Sequence, residues 1–346
     1  MNLLAFVGRI FGVVGGIIFD RLRRGIPDEE LQSGFEPLSV PSVVVVVVGY
    51  TTIGATLLFT DFSLKLTLPW QLWASLAVFP LIGVIARRYL LRPASDILQA
   101  TSILAMLSFL AHIGSILITP LTLQYVDEYL VSFDMALRVP WLDLFRFMQS
   151  HGDMLDLNRQ FYGWLMVQPP LVVVLLVLLR QRRRLWIFVN AWAITLALTL
   201  AIYVFAPAKG PFWYYSIAGN ALPGLTSHLP WIFPQVLDQL RDGSLRDITK
   251  VLGVGLVSFP SFHAAGAALL AWAMWGNRFT RFPFLLFNSA VTGSALISGG
   301  HYVIDIVGGW GVAAVSIPLA WAFMFPDEIR RRFLSNAKTN RLAKRH

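Results

Sequence analysis

Long apolar runs separated by short polar and basic joints set the pattern of this chain. A membrane-crossing helix needs about 20 mainly apolar residues. Eight stretches meet that need with soft edges: Leu38–Thr60, Leu68–Ala86, Ile97–Thr119, Phe161–Leu179, Leu185–Phe205, Phe259–Trp275, Phe282–Ser298 and Tyr302–Phe325. The run Val43–Val48 is β-branched and in isolation would suit a strand. Inside so long an apolar stretch, lipid forces the backbone to bond to itself, so a helix is predicted. Met1–Ile18 is apolar but short, and Arg9 and Asp20 interrupt or flank it. It is expected to lie in the interface, with a ninth crossing as the lesser alternative.

Two long connections break the pattern. Gln124–Gln160 carries Asp127, Glu128, Asp134, Asp143, Asp153 and Asp156 among aromatics and leucines, which predicts short amphipathic helices lying on the membrane. Ala208–Val257 is rich in Gly, Pro and aromatic residues. Connections of this length usually form lids or binding elements. The predicted fold class is all-α integral membrane protein with about eight transmembrane helices. Its parts are an interfacial segment over 1–37, N-terminal spans over 38–123, a catalytic membrane domain over 124–325 and a basic tail over 326–346.

Composition agrees with the pattern. Hydrophobic residues make up 56% of the 346 and charged ones 14%, against roughly a quarter charged in soluble domains. The absence of cysteine excludes disulfides, thiolate metal sites and cysteine nucleophiles. The formal charge of +9 does not point to nucleic acid, because the basic residues sit in joints between apolar runs. Eight alternating crossings put 20 of the 28 Lys and Arg on one side, including Arg87, Arg88, the cluster Arg180–Arg184 and the C-terminal tail. The positive-inside bias makes that side cytoplasmic, with both termini there. No small-residue cleavage site follows the N-terminal run, so no cleavable signal peptide is expected.

The candidate chemistry lies on the other side. Pro260-Ser261-Phe262-His263 opens the sixth apolar stretch and His301-Tyr302-Val303-Ile304-Asp305 opens the eighth. Ionisable groups at such positions are costly and tend to be functional. His301 and Asp305 are four apart, which on a helix places them on one face. The carboxylate would fix the imidazole tautomer and leave the opposite nitrogen as base or nucleophile. Histidine is an established covalent catalyst, and its adduct here would be a phosphohistidine. Ser261 suits a helix N-cap, whose free N–H groups favour phosphate oxygens. His263 beside it suits a general acid. Lys209, Arg241, Arg246, Ser261 and Tyr302 are the candidate phosphate ligands; for Lys209 an interfacial snorkelling role is an equal reading. His112, His151 and His228 are read as structural. No HExxH pattern or dense carboxylate cluster appears, so metal-independent chemistry without a cofactor is expected.

Phe259-Pro260-Ser261-Phe262-His263 and His301-Tyr302-Val303-Ile304-Asp305 resemble the second and third signatures of the type-2 phosphatidic acid phosphatase superfamily. The His-Tyr-x-x-Asp form is similar to that of the inositol phosphorylceramide synthase branch and of sphingomyelin synthases. The resemblance covers roughly Gln124–Phe325. It implies a six-helix core extended by two N-terminal spans, with His301 as nucleophile, Asp305 as its orienting partner and His263 as general acid. Two arginines of the phosphatase pattern are missing: Ala295 stands six residues before His301, and Ser216-Ile217 follows Lys209 where Arg-Pro is expected. The expected protein is a multi-pass cell-membrane phosphotransferase or phosphatase. Its substrate would be a lipid phosphate or phosphodiester, sphingolipids included, in the bilayer, its acceptor a hydroxyl or water, and its site would face away from the cytoplasm. The rival from another class is a lipid- or polyprenyl-phosphate transporter that binds in the same cleft without reacting.

Overall fold

A computed structural model describes residues 40–64, 92–217, 229–253 and 255–325, together with Ile85 and Ala221. The expected interfacial segment, the basic tail and nearly all of the stretch Leu68–Ala86 lie outside the described residues. Within them the structure is all-helical, without a sheet.

Five helices are long and apolar enough to cross a membrane: α1 (Val40–Phe59), α2 (Arg92–Ile118), α5 (Gly152–Leu178), α6 (Arg182–Phe205) and α11 (Val303–Met324). Between α2 and α5 lie the short α3 (Asp127–Ala136) and α4 (Trp141–Ser150). The second long connection holds a single turn, α7 (Pro211–Tyr214), and α8 (Leu229–Asp242). The remaining two are α9 (Phe262–Met274) and α10 (Arg281–Ser298).

Three boundaries differ from the sequence expectation. α5 starts at Gly152 rather than Phe161, so Asp153, Asp156 and Arg159 belong to its first turns and not to a loop. α9 has 13 residues, about 20 Å of helix against an apolar core of about 30 Å. α10 has 18 residues but is diluted by Asn288, Ser289, Thr292 and Ser294, and it too is not among the five. Among the described residues five helices qualify by length and composition, with α9 and α10 as shorter partners inside the same bundle, while the expected crossing Leu68–Ala86 lies outside the described residues but for Ile85.

α6 is the axis. Its residues from Leu185 to Leu196 are buried all round, the signature of a helix enclosed by others. α1, α2, α9 and α11 pack along it, and α5 closes the ring through α2, α9 and α10. The termini gather at two ends. At one end Arg182 Nε meets Asp96 Oδ2 at 2.6 Å, Arg184 donates to the Trp272 carbonyl, and Arg183 lies 4.0 Å over the Phe325 ring. These contacts tie the starts of α2 and α6 to the ends of α9 and α11. The opposite end gathers the starts of α5, α9 and α11 with the ends of α2, α6 and α10. α9 and α11 approach closely there: a Cβ on Gly309 would stand 2.3 Å from the Ser261 carbonyl. The Ser261 N–H donates to the Asp305 carbonyl at 3.0 Å.

Candidate functional site

α11 begins at Val303, with Tyr302 as its N-cap, so His301 precedes the helix. The sequence expected His301 and Asp305 to meet on one helical face; they meet by another route. Asp305, in the first turn, turns its carboxylate back over the helix start. Its Oδ2 accepts from the Tyr302 N–H at 3.0 Å, from the Ser258 hydroxyl at 2.8 Å and from His301 Nδ1 at 3.2 Å. A carboxylate only accepts, so this contact selects the Nδ1–H tautomer of a neutral imidazole, the one whose lone pair is on Nε2. Asp305 is fully buried and His301 nearly so. The indole N–H of Trp141 holds the His301 carbonyl at 3.1 Å.

His263 sits in the first turn of α9, half-buried. Ser261 caps that helix, its hydroxyl accepting from the Ala264 N–H at 3.4 Å. The His263 ring stacks on Tyr162 of α5 with centroids 3.9 Å apart and planes 9° from parallel. The edge of Tyr162 and the His301 ring both border Gly299. A Cβ on Gly299 would lie 2.9 Å from Tyr162 Cε2 and 2.8 Å from His301 Cδ2. Behind Tyr162 and Ser258 is a cavity of about 40 Å³, walled also by Lys209, Ser298, Gly299 and Gly300 and lined by neither imidazole, space for about three waters or a few phosphate oxygens.

The five expected phosphate ligands fare unequally. Lys209 lines the cavity, but its ammonium pairs with Asp238 at 2.7 Å and lies over the rings of Tyr125 and Trp213 at 4.7 and 4.5 Å. Arg241 lies 4.5 Å over the Tyr125 ring, one step farther out. Arg246 lies 4.8 Å over Phe62, and its carbonyl accepts from the Ser63 N–H. The Ser261 hydroxyl is committed to its cap. The Tyr302 hydroxyl is buried and donates to Asp127 Oδ1 at 2.8 Å. Of the histidines read as structural, His112 accepts from the Gly253 N–H at 2.8 Å and His151 stacks on Phe147 at 4.3 Å. His228 lies outside the described residues.

Two carboxylates that sequence reasoning left on the membrane surface hold the site together. Asp127 accepts from the backbone N–H groups of Lys209 at 2.9 Å and Gly210 at 2.8 Å, besides Tyr302. Asp134 accepts from the N–H groups of Val303 at 2.8 Å and Ile304 at 2.9 Å, satisfying orphan donors at the start of α11. Burial raises both carboxyls above the ordinary range, and these hydrogen bonds oppose the rise. The signal was legible. Asp127, Leu130, Val131 and Asp134 are the buried residues of α3, an i, i+3, i+4, i+7 stripe with an acid at each end. Ser258 and Tyr162 carried no comparable pattern.

The bundle and its buried His-Asp pair define a helical membrane protein with a polar site at one end. A family model described as the PAP2 superfamily matches residues 128–319, more than half of the chain, spanning α3 to α11. The chain belongs to the PAP2 superfamily, whose membership suggests a phosphatase or phosphotransferase working on a phosphate ester in a membrane. The match speaks for the superfamily and not for its inositol phosphorylceramide synthase branch. No curated protein and no solved structure matches the chain.

Proposed function

We propose that the protein cleaves lipid phosphate esters through a phosphohistidine on His301 and passes the phosphoryl or phospho-head group to water or to a hydroxyl acceptor. Asp305 holds the Nδ1 proton, so the Nε2 lone pair attacks phosphorus and the ester P–O bond breaks. His263 gives its proton to the departing oxygen. In the second step the acceptor hydroxyl loses its proton to His263 and attacks phosphorus, the P–N bond breaks, and both imidazoles return to their starting states. The observation that carries this reading is the shared Asp305 Oδ2, which takes His301 Nδ1 and Ser258 Oγ at 3.2 and 2.8 Å beside the cavity that Lys209 lines. Lys209 would have to exchange Asp238 for phosphate, as a point charge on a flexible stem can.

The basic end of the bundle suits the cytoplasm and the site end the opposite face of a cell membrane. The His301-Tyr302-x-x-Asp305 form favours transfer and a place near the inositol phosphorylceramide synthase branch. The missing phosphatase arginines, at Ala295 and Ser216-Ile217, favour it too. The test is purified protein with a panel of labelled lipid phosphates and phosphodiesters, sphingolipids included, with and without alcohol acceptors. His301→Ala should lower turnover by about 10³-fold or more and remove any acid-labile phosphoprotein. Turnover at the wild-type rate in that variant would defeat the assignment. Binding of every lipid in the panel without product would favour a transporter.

A further inference from the structure

Asp305 answers the charge of His301, but among the described residues no hydrogen bond or ion pair reaches the His263 ring. Taking an imidazolium even partly out of water disfavours it, and the proposed reaction needs His263 charged when the ester bond breaks. The elements around α9 bring little to offset that cost. On α5, Asp156 pairs with Arg159, and Asp153 stands exposed in the first turn. On α6, Tyr203 bonds to Thr119, while Arg182, Arg183 and Arg184 lie at the basic end, as does Arg281 at the start of α10. His301 and Asp305 are joined to each other, and Lys209 in the loop after α6 is held by Asp238. What faces His263 is the ring of Tyr162. With centroids 3.9 Å apart and planes 9° from parallel, the imidazole lies on the phenol's π-face and not at its edge. That face is the negative side of the ring quadrupole.

We propose that Tyr162 is a positioning residue for the reaction: its π-face stabilises the His263 imidazolium in place of a carboxylate and keeps the proton donor charged during turnover. The inference rests on the proposed role of His263 and adds what holds its proton. A cation over an aromatic face is attracted by the ring, and more strongly where water is excluded. The phenol is fixed for this task from two sides. One turn earlier on α5, Asn158 Oδ1 accepts from the Ser298 hydroxyl at 2.5 Å, which ties α5 to the end of α10. Gly299 follows Ser298 and leaves room for the ring, since a Cβ there would stand 2.9 Å from Tyr162 Cε2. The Tyr162 hydroxyl has no hydrogen-bond partner among the described residues, so the ring face is what this side chain offers the site.

The test separates the ring's charge distribution from its bulk. The full-length protein carries isotope-labelled histidine, and the NMR signal of His263 is identified by its loss in His263→Gln. Tyr162→Phe keeps a π-face and should leave the titration midpoint of His263 where it stands in wild type. Pentafluorophenylalanine at the same position keeps the ring's outline but reverses the charge of its face. The midpoint should then fall by about one pH unit, a roughly tenfold weaker hold on the proton. Tyr162→Leu, which has no π-face, should also lower it and serves if the fluorinated protein does not fold. A midpoint that neither replacement moves, or that moves as far in Tyr162→Phe, would overturn the inference and leave Tyr162 a packing residue. The alkaline limb of kcat/KM for a lipid phosphate should shift in the same order, because the proton donor must be charged to act. If wild type turns over no lipid phosphate, or the limb stays put while the NMR midpoint moves, the proposed role of His263 fails, and the titration alone then decides whether the stack holds its charge.

Discussion

At the level of single residues, the site turns on one oxygen atom. Asp305 Oδ2 carries three donors, whereas Oδ1 has no hydrogen-bond partner among the described residues. Asp305→Asn keeps an acceptor oxygen and the side-chain shape but removes the charge that stabilises an imidazolium. Turnover should fall by about 10³–10⁴ while the melting temperature barely moves. A thermal melt beside a lipid-phosphate assay checks both, and an equal collapse of stability would show that the carboxylate is there for the fold. Sequence spacing found the His301-Asp305 pair although its geometric reason was different. Four residues apart suits a helical face, but it also suits a first-turn acid reaching back past an N-cap. The pairing was therefore legible and the mode was not. Ser258 escaped because a serine before a Phe-Pro pair looks like ordinary loop, and its role appears only when α11 is laid against it.

At the level of elements, α3 acts as a clasp. Its two acids grip the loop after α6 and the start of α11, which are 92 residues or more apart along the chain (Lys209 to Val303, 94). Asp127→Asn keeps an oxygen where the Lys209 and Gly210 N–H groups and the Tyr302 hydroxyl converge on Oδ1, but it sets an NH2 against the Lys209 N–H that Oδ2 accepts, a buried donor–donor contact costing about 1–3 kcal/mol. Activity should fall with stability, because Tyr302 adjoins His301. The pH dependence has a definite sign. The folded-state carboxyl lies above its ordinary value of 3.8, so the folded protein binds this proton more tightly than the unfolded chain. Its contribution is full below the unfolded value and is lost as pH rises through the raised one. The melting-temperature gap between wild type and Asp127→Asn should accordingly widen as pH falls through that window, and a gap that narrows would contradict the linkage. Hydropathy identified the long helices because lipid imposes a simple rule on them. It did not reveal that α9, apolar along its whole length, has only 13 residues.

At the level of the whole molecule, the bundle has a basic end and an end that holds the His301-Asp305 pair, and the chain has no cysteine to confuse a labelling experiment. Ser132 is exposed at the end of the His-Asp pair and Arg278 at the basic end. In intact cells a membrane-impermeant maleimide should label Ser132→Cys and spare Arg278→Cys; the reverse pattern would invert the proposed orientation. The relative placing of the two ends depended on counting crossings from sequence. What no count could supply was how near α9 and α11 come. That separation is set at Gly309, where even one methyl would collide with the Ser261 carbonyl. Gly309→Ala should cost about 1–3 kcal/mol, measurable by thermal unfolding, and should slow turnover more than it weakens lipid binding. In the proposed reaction the reach between His263 and His301 is thus gauged by a missing carbon atom, and an enzyme of this build would tune its chemistry by the thickness of a spacer that touches neither substrate nor imidazole.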